Sequence, residues 1–353
     1  MLSIGIFVKN LTSGGAEKQA VLLARVLAPD AKVHFIVFNG DKVHEKYLLR
    51  LKEDNRIAVA LFRGGHLSRF KQFVGYLNAN KISIIFSYLA AANLYACMAG
   101  RLTGTKVYTG IRNVDLPWKK RLVDKQLANH LAAGTIVNCY TGKDNFVRHG
   151  FRDDKLMVIP NGFENIQDYK GKTQGDTVRV ITVGRFHPQK DYATAIKAFA
   201  TLHKACDNTE YHIIGYGEEE QHIRNLVKEM GLESTCKIFI NPDNIPELLD
   251  AADIYLSTSL IEGTSNSIME AMNASLPIVA TNVGDNPYLV EEGRNGFLLA
   301  PGDVTGLAHK MEELTKNALL RLQFGKESLN ILRYNYSAEA FRNNYLKIIA
   351  TES

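Results

Sequence analysis

Two glutamates eight residues apart, Glu262 and Glu270, stand in the segment SLIEGTSNSIMEAMNASLPIVAT, residues 259–281. The apolar run DIYLSTS delivers the chain to Glu262 and Gly263, and Thr264 or Ser265 can cap a helix that carries Glu270. A helix N-terminus offers unpaired N–H groups and a positive dipole end, which suits a diphosphate. A carboxylate only accepts hydrogen bonds, so it suits the vicinal hydroxyls of a ribose or hexose. The segment therefore joins anion donors to hydroxyl acceptors. The same residues would also serve as a capped surface helix with solvated glutamates.

A second group is VGRFHPQKD, residues 183–191, where Arg185 and Lys190 follow a buried-type strand. Two cations at a strand's carboxyl end can neutralise a leaving diphosphate, and Asp191 can cap the helix that follows. The alternative is a pair of solvated surface cations. A third group, IIGYGEEEQ, places Gly215 and Gly217 after another strand. It lacks the third glycine of a dinucleotide fingerprint. Close backbone approach to a base or ribose and a simple tight turn both fit. The fourth, TSGGAEKQA, sets Gly14 and Gly15 between the first strand-like run and a helical one.

Positioning these groups requires strands that end where the groups begin. Strand-like runs alternate with helical ones along the chain: SIGIFVKN, KVHFIVFN, ISIIFSYL, KVYTGIRN, GTIVNCYT and KLMVIPNG, then VRVITVGRF, EYHIIGYG, KIFIN, DIYLSTS, LPIVATNVG and NGFLLAP. Short apolar runs separated by helices predict βαβ units and parallel sheets. Two such series predict two α/β domains, residues 1–165 and 166–330, joined through the polar stretch 161–177. Residues 331–353 form a final helical segment expected to return to the first domain, with Ser337 as its N-cap. Ligands of open parallel sheets bind beyond the strands' carboxyl ends, so a cleft between the two domains is the expected site.

The chain has 353 residues, 46% of them apolar and 22% charged, as in soluble globular proteins. The start of the chain does not read as a signal peptide, and no run reaches the length of a spanning helix. Cys97, Cys139, Cys206 and Cys236 are scattered, with no CxxC pair, so a reducing cytosol fits. Residues 1–165 hold 24 Lys/Arg against 12 Asp/Glu, and the remainder 18 against 25. A basic first half suits an anionic membrane face or a phosphorylated substrate; solvated lysines are the plain alternative. Trp118 beside Lys119, Lys120 and Arg121 suits an interfacial contact with anionic lipid, or else an exposed helix start.

GGAEKQ, IPNG, GRFHPQKD, GYGEEE, EGTSNSIMEAMNASLPIVAT and GRNGFLLAPGD occur in this order over nearly the whole chain. The set resembles the family 4 glycosyltransferases, retaining enzymes of the GT-B fold. The resemblance implies two Rossmann-like domains facing across a cleft, an acceptor side first and a nucleotide-sugar donor side second. It implies that Arg185 and Lys190 bind the donor diphosphate, that Glu262 meets donor-sugar hydroxyls, and that Glu270 holds the ribose. Thr264, Ser265 and Asn266 would offer backbone to phosphate or sugar. Gly14 and Gly15 would approach the donor from across the cleft, with Gly215 and Gly217 near the nucleotide.

Several positions depart from the family pattern. A histidine common in the first domain is replaced in FSYLAAAN and TGIRNVD by Tyr88, Arg112 and Asn113, the acceptor-side candidates. Thr264, Ser275 and Asp285 replace a common proline and two glycines, and Asp285 is a candidate for tuning sugar choice. No Asp-x-Asp occurs, so no metal or other cofactor is expected. The implied reaction moves a sugar from a UDP- or GDP-sugar to a glycan or lipid-linked acceptor in cell-envelope synthesis. It would take place in the cytoplasm or at the inner face of the cell membrane, without nucleic acid. A GT-B nucleotide-sugar epimerase and a non-catalytic nucleotide-sugar binder are the rival readings.

Overall fold

Runs such as SIGIFV and KVHFIV are apolar at nearly every position, so both faces of such strands must be covered, and helices from βαβ crossovers cover them. The computed structural model describes residues 2–12, 14–169, 171 and 175–352. They form two units, Met1–Glu164 with Tyr336–Ser353, and Asn165–Asn335.

The first unit holds β1 (Ser3–Val8), β2 (Lys32–Val37), β3 (Ile57–Leu61), β4 (Ile84–Tyr88), β5 (Lys106–Ile111), β6 (Gly134–Val137) and β7 (Leu156–Val158). They make one parallel sheet in the order β3-β2-β1-β4-β5-β6-β7. Between the strands run α1 (Gly15–Leu27), α2 (Glu45–Lys52), α3 (His66–Ala79), α4 (Ala90–Thr103), α5 (Trp118–Gln126) and α6 (Tyr140–Arg148). Leu23 and Leu27 of α1 join Phe35 and Phe86 in a core on one face of the sheet. Phe73 and Leu77 of α3 and Ala96 of α4 join Phe7 and Ile85 in a second core on the other. Each fully buried Leu or Phe contributes about 1.5–3 kcal/mol of hydrophobic free energy.

The second unit holds β8 (Val178–Val183), β9 (Thr209–Gly215), β10 (Cys236–Ile240), β11 (Ile254–Ser257), β12 (Ile278–Thr281) and β13 (Gly296–Leu299). Their order is β10-β9-β8-β11-β12-β13, again all parallel. Its helices are α7 (Tyr192–Ala205), α8 (Glu220–Glu229), α9 (Ile245–Asp250), α10 (Asn266–Asn273), α11 (Asn286–Leu289), α12 (Val304–Lys316) and α13 (Ala318–Tyr336). In each sheet the chain first moves outward from a central strand and then returns to its other side. The reversal falls between β1 and β4 in one unit and between β8 and β11 in the other. Such a switch point opens a crevice at the strands' carboxyl ends.

The expected division at 331 falls inside α13. The chain changes unit at Tyr336, whose carbonyl accepts from Phe163 N–H at 2.7 Å. Ser337 then caps the last helix, α14 (Ala338–Ala350), by accepting from Ala340 N–H at 3.1 Å. Phe341 and Tyr345 of α14 join the core beside α1.

Candidate functional site

The switch point of the second unit is bordered by the loops after β8 and β11, the segments that carry Arg185–Lys190 and Glu262. They are pinned together. Leu260 N–H donates to Gln189 O at 2.8 Å, and Gln189 Nε2 donates to Ile261 O at 2.7 Å. Thr258 Oγ1, buried, donates to the carbonyls of Lys190 and Asp191. Lys190 Nζ is thereby held in an ion pair with Glu262 Oε1, and Ser259 Oγ donates to the same oxygen at 2.7 Å. Arg185 is exposed, and among the described residues no carboxylate pairs with it.

Asp191 sits in the left-handed region, φ 47°, and its side chain accepts from Thr194 N–H to cap α7. Left-handed backbone at a non-glycine residue carries strain, and its cap helps to hold it there. The result is a sharp exit from β8 that keeps Lys190 at the strand's carboxyl end.

Ser265 is the N-cap residue of α10, but its side chain makes no capping bond and instead lies 3.2 Å from Ser267 Oγ. The first turn of α10, beginning at Asn266, thus keeps its N–H groups available to an anion. Glu270 is half-buried in the same helix. Tyr255 on β11 feels both acids: burial raises its hydroxyl pKa, and the charges of Glu270 and Glu262 raise it further. Its O–H donates to Val183 O at 3.1 Å, fixing the end of β8. The structure therefore gathers Lys190, Glu262, Glu270 and the start of α10 at one switch point. A cation, two acceptors and a helix N-terminus can together hold a diphosphate and sugar hydroxyls.

Gly215 and Gly217 are required by close packing within the unit itself, as the tight-turn reading has it. A Cβ at Gly215 would lie 1.9 Å from Gly184 O, and one at Gly217, φ 149°, 2.4 Å from Phe186 O. Both glycines admit the chain's own β8 loop, leaving no requirement for a nucleotide to explain them. Asp285 is buried, and Thr264 Oγ1 donates to it at 3.4 Å, so it braces the loop after β11. Gly284, φ 55°, touches Glu262: a Cβ there would lie 2.0 Å from Glu262 O.

In the first unit Gly14 is the N-cap residue of α1, and only the end of the Glu17 side chain closely approaches the place of its missing Cβ. At Gly15 no atom of the described residues beyond its chain neighbours and its own helix backbone lies within 4 Å of the corresponding point. Beside them a cavity lined by Lys9, Asn10, Glu17, Tyr88 and Leu89 opens at the ends of β1 and β4. Ser13 lies outside the described residues.

Tyr88 and Arg112 are used internally. Tyr88 is 2% exposed, and its hydroxyl lies 3.2 Å from Tyr345 Oη. Arg112 donates to Tyr345 Oη at 3.0 Å and lies over the Tyr88 ring, 4.6 Å from its centroid. They anchor α14 to β4 and β5, which is a scaffolding task. Asn113 remains exposed.

Sequence reasoning missed Ser259, Gln189 and Thr258, which aim Lys190 and Glu262. Ser259 had a readable signal, its spacing of three from Glu262. It also missed Leu89, a non-glycine residue at φ 72°, ψ 151°, where α4 begins at the edge of the cavity. Among the described residues no group of three or more His, Cys, Asp or Glu could hold a metal ion.

Comparison with known proteins gives two adjoining family matches: Glycosyltransferase Family 4 over residues 13–165 and Glycosyl transferases group 1 over residues 164–330. An uncharacterized glycosyltransferase of Haemophilus influenzae is 25% identical over 96% of this chain and 97% of its own length. The Campylobacter jejuni GalNAc-alpha-(1->4)-GalNAc-alpha-(1->3)-diNAcBac-PP-undecaprenol alpha-1,4-N-acetyl-D-galactosaminyltransferase is 23% identical over 99% of both chains. The lipopolysaccharide core biosynthesis glycosyltransferase LpsE of Rhizobium meliloti is 26% identical but is matched over only 51% of this chain and 52% of its own. Among solved structures, Anabaena HepE in complex with UDP superposes with a TM-score of 0.81 at 19% identity, covering 99% of this chain and 100% of that one.

Proposed function

Since the chain belongs to the family 4 glycosyltransferases of the GT-B fold, we propose that it transfers a hexose, with retention, from a nucleoside-diphosphate sugar to an envelope glycan or lipid-linked acceptor. The observation that carries this reading is the convergence of Lys190, Glu262, Glu270 and the start of α10 at one switch point. UDP- and GDP-sugars are the candidate donors, and the UDP bound by HepE favours the first. Arg185, Lys190 and the N–H groups of α10 bind the diphosphate without metal. Glu262 accepts from donor-sugar hydroxyls and Glu270 from the ribose.

The bond from the sugar's anomeric carbon to the diphosphate oxygen breaks, and its electron pair stays on that oxygen. Arg185 and Lys190 stabilise the growing negative charge. The acceptor hydroxyl adds to the same face of the sugar, and its proton passes to the leaving phosphate oxygen. No carboxylate nucleophile is needed. The protein works in the cytoplasm at the inner membrane face, where a lipid-linked acceptor is presented. The undecaprenol named for the Campylobacter relative supports that choice.

The test is thermal denaturation with UDP, GDP and their sugars, followed by donor hydrolysis. A ligand bound only by the folded state stabilises it by RT ln(1 + L/Kd), where L is the free ligand concentration, so the melting temperature keeps rising with ligand concentration. A shift with one nucleotide, lost in Lys190→Ala, is the expected result. No shift with any nucleotide overturns the reading, and conversion of donor to its epimer without transfer replaces it with an epimerase.

A further inference from the structure

Residues 63–131 contain eleven Lys/Arg and only two acidic residues, Asp115 and Asp124. Asp115 is already paired with Arg121 at 2.9 Å, and Asp124 is only 3% exposed. This stretch builds α3, α4 and α5, which pack side by side with α4 in the middle. The outer side of α4 carries Leu94, Met98 and Leu102, recurring every four residues, and all three are exposed. Beside them α5 exposes Trp118, Leu122 and Val123; Trp118 and Leu102 are 66% and 67% exposed. Lys119 Nζ lies 5.4 Å from the centroid of the Trp118 ring, which sets a cation at the apolar edge.

Apolar rows on adjacent helices, mixed with cations and nearly free of acids, are the composition of an interfacial surface. We infer that the outer face of α4 and α5 is where the protein rests on an anionic lipid bilayer, with Trp118, Leu122, Met98 and Leu102 at the acyl boundary and Arg101, Lys119 and Lys120 against headgroup phosphates. Charge decides for lipid over a second copy of the chain, because two such basic faces would repel each other. No described helix is long and apolar enough to cross a membrane, so the contact lies in the interface plane. Trp118 opens α5 just after β5, so the surface reaches the carboxyl end of the sheet, where the Lys9–Leu89 cavity also lies. The inference rests on the proposed lipid-linked acceptor and names the surface that meets its membrane.

Flotation of the full chain with vesicles tests it, using phosphatidylcholine alone and with about one-third phosphatidylglycerol, at low and high salt. Wild type is expected to bind only the anionic vesicles and to be released by salt. Lys119→Gln with Lys120→Gln should weaken partitioning roughly tenfold or more, and Met98→Glu with Trp118→Glu should abolish it. Leu319→Glu, at an exposed leucine of α13, should change nothing. Wild type that ignores anionic vesicles, or surface variants that partition like wild type, overturns the inference. So does a face that changes oligomeric mass in place of vesicle binding. The UDP melting shift is measured on every variant and reports both folding and the donor site. Vesicle binding lost with the UDP shift intact counts for the surface; a UDP shift absent from wild type that still floats counts only against the donor reading.

Discussion

Lys190 Nζ is ion-paired with Glu262 across two loops that leave different strands, and Ser259 Oγ donates to the same Glu262 oxygen. Without a donor the cation and the acceptor satisfy each other. A diphosphate would draw Lys190 to itself and free Glu262 for a sugar hydroxyl. Lys190→Ala should then lower turnover by roughly 10²–10³-fold, as when one oxyanion donor is removed. Glu262→Gln keeps the shape but removes the charge that holds Lys190. Steady-state hydrolysis of the donor found by melting shift measures both. Wild-type kcat in Lys190→Ala would refute the role.

Gly284 is predicted to be required because Glu262 leans on it. Its φ of 55° disfavours any side chain, and a Cβ would lie 2.0 Å from Glu262 O. Gly293 has a similar φ, 72°, but among the described residues no atom beyond its chain neighbours lies within 4 Å of its Cβ position. Gly293→Ala should cost only the backbone strain, about 1–2 kcal/mol. Gly284→Ala should cost more than that and also displace Glu262, so donor turnover should fall with it. Chemical denaturation and donor hydrolysis on the two variants provide the comparison. Equal effects at the two glycines would contradict it.

The fold was legible because each strand announces itself as a short apolar run and each switch-point loop follows directly. Lys190 and Glu262 were legible for the same reason: both follow strands that end at one crevice. Gly215 and Gly217 left two readings open because a glycine signals close approach without naming what approaches; the structure shows the backbone of Gly184 and Phe186 there. The contact of Tyr88 and Arg112 with Tyr345 was not legible because Tyr345 stands more than two hundred residues away. Helical periodicity continues from α13 into α14 with only the Ser337 cap between them, which hid the true change of unit at Tyr336.

Tyr345 should prove to be a structural keystone. Its hydroxyl meets both Tyr88 Oη and Arg112, and Arg112 Nε is buried with no hydrogen-bond partner of its own. Tyr345→Phe keeps the ring in its core but removes one hydrogen-bond partner from each of Tyr88 and Arg112, which keep each other. A loss of about 0.5–1.5 kcal/mol, the net worth of a typical hydrogen bond, is expected. Urea denaturation measures it, and the UDP melting shift should survive because the donor loops lie in the other unit. An unchanged midpoint would show that the hydroxyl network contributes nothing.

Asp124 should make stability fall as pH rises through mildly acidic values. It lies beneath the start of α4, accepting from Asn93 Nδ2 at 3.3 Å, while its other oxygen is buried without a partner. Burial raises its pKa to about 6, although the Asn93 hydrogen bond and the charge of Lys120 pull the other way. The folded state therefore holds this proton more tightly than the unfolded chain, whose carboxyl titrates near 3.8. Below that value both states are protonated and the contribution is fully present; it is lost as pH climbs to about 6. The shift corresponds to about 2–3 kcal/mol. Asp124→Asn leaves an acceptor for Asn93 and removes the titration. Its stability relative to wild type should therefore be greater at pH 7 than at pH 4, by about 2 kcal/mol. Urea denaturation of both proteins across that range reads the difference directly. Parallel curves, or a gap that opens on acidification, would show that the buried carboxyl is not the titrating group.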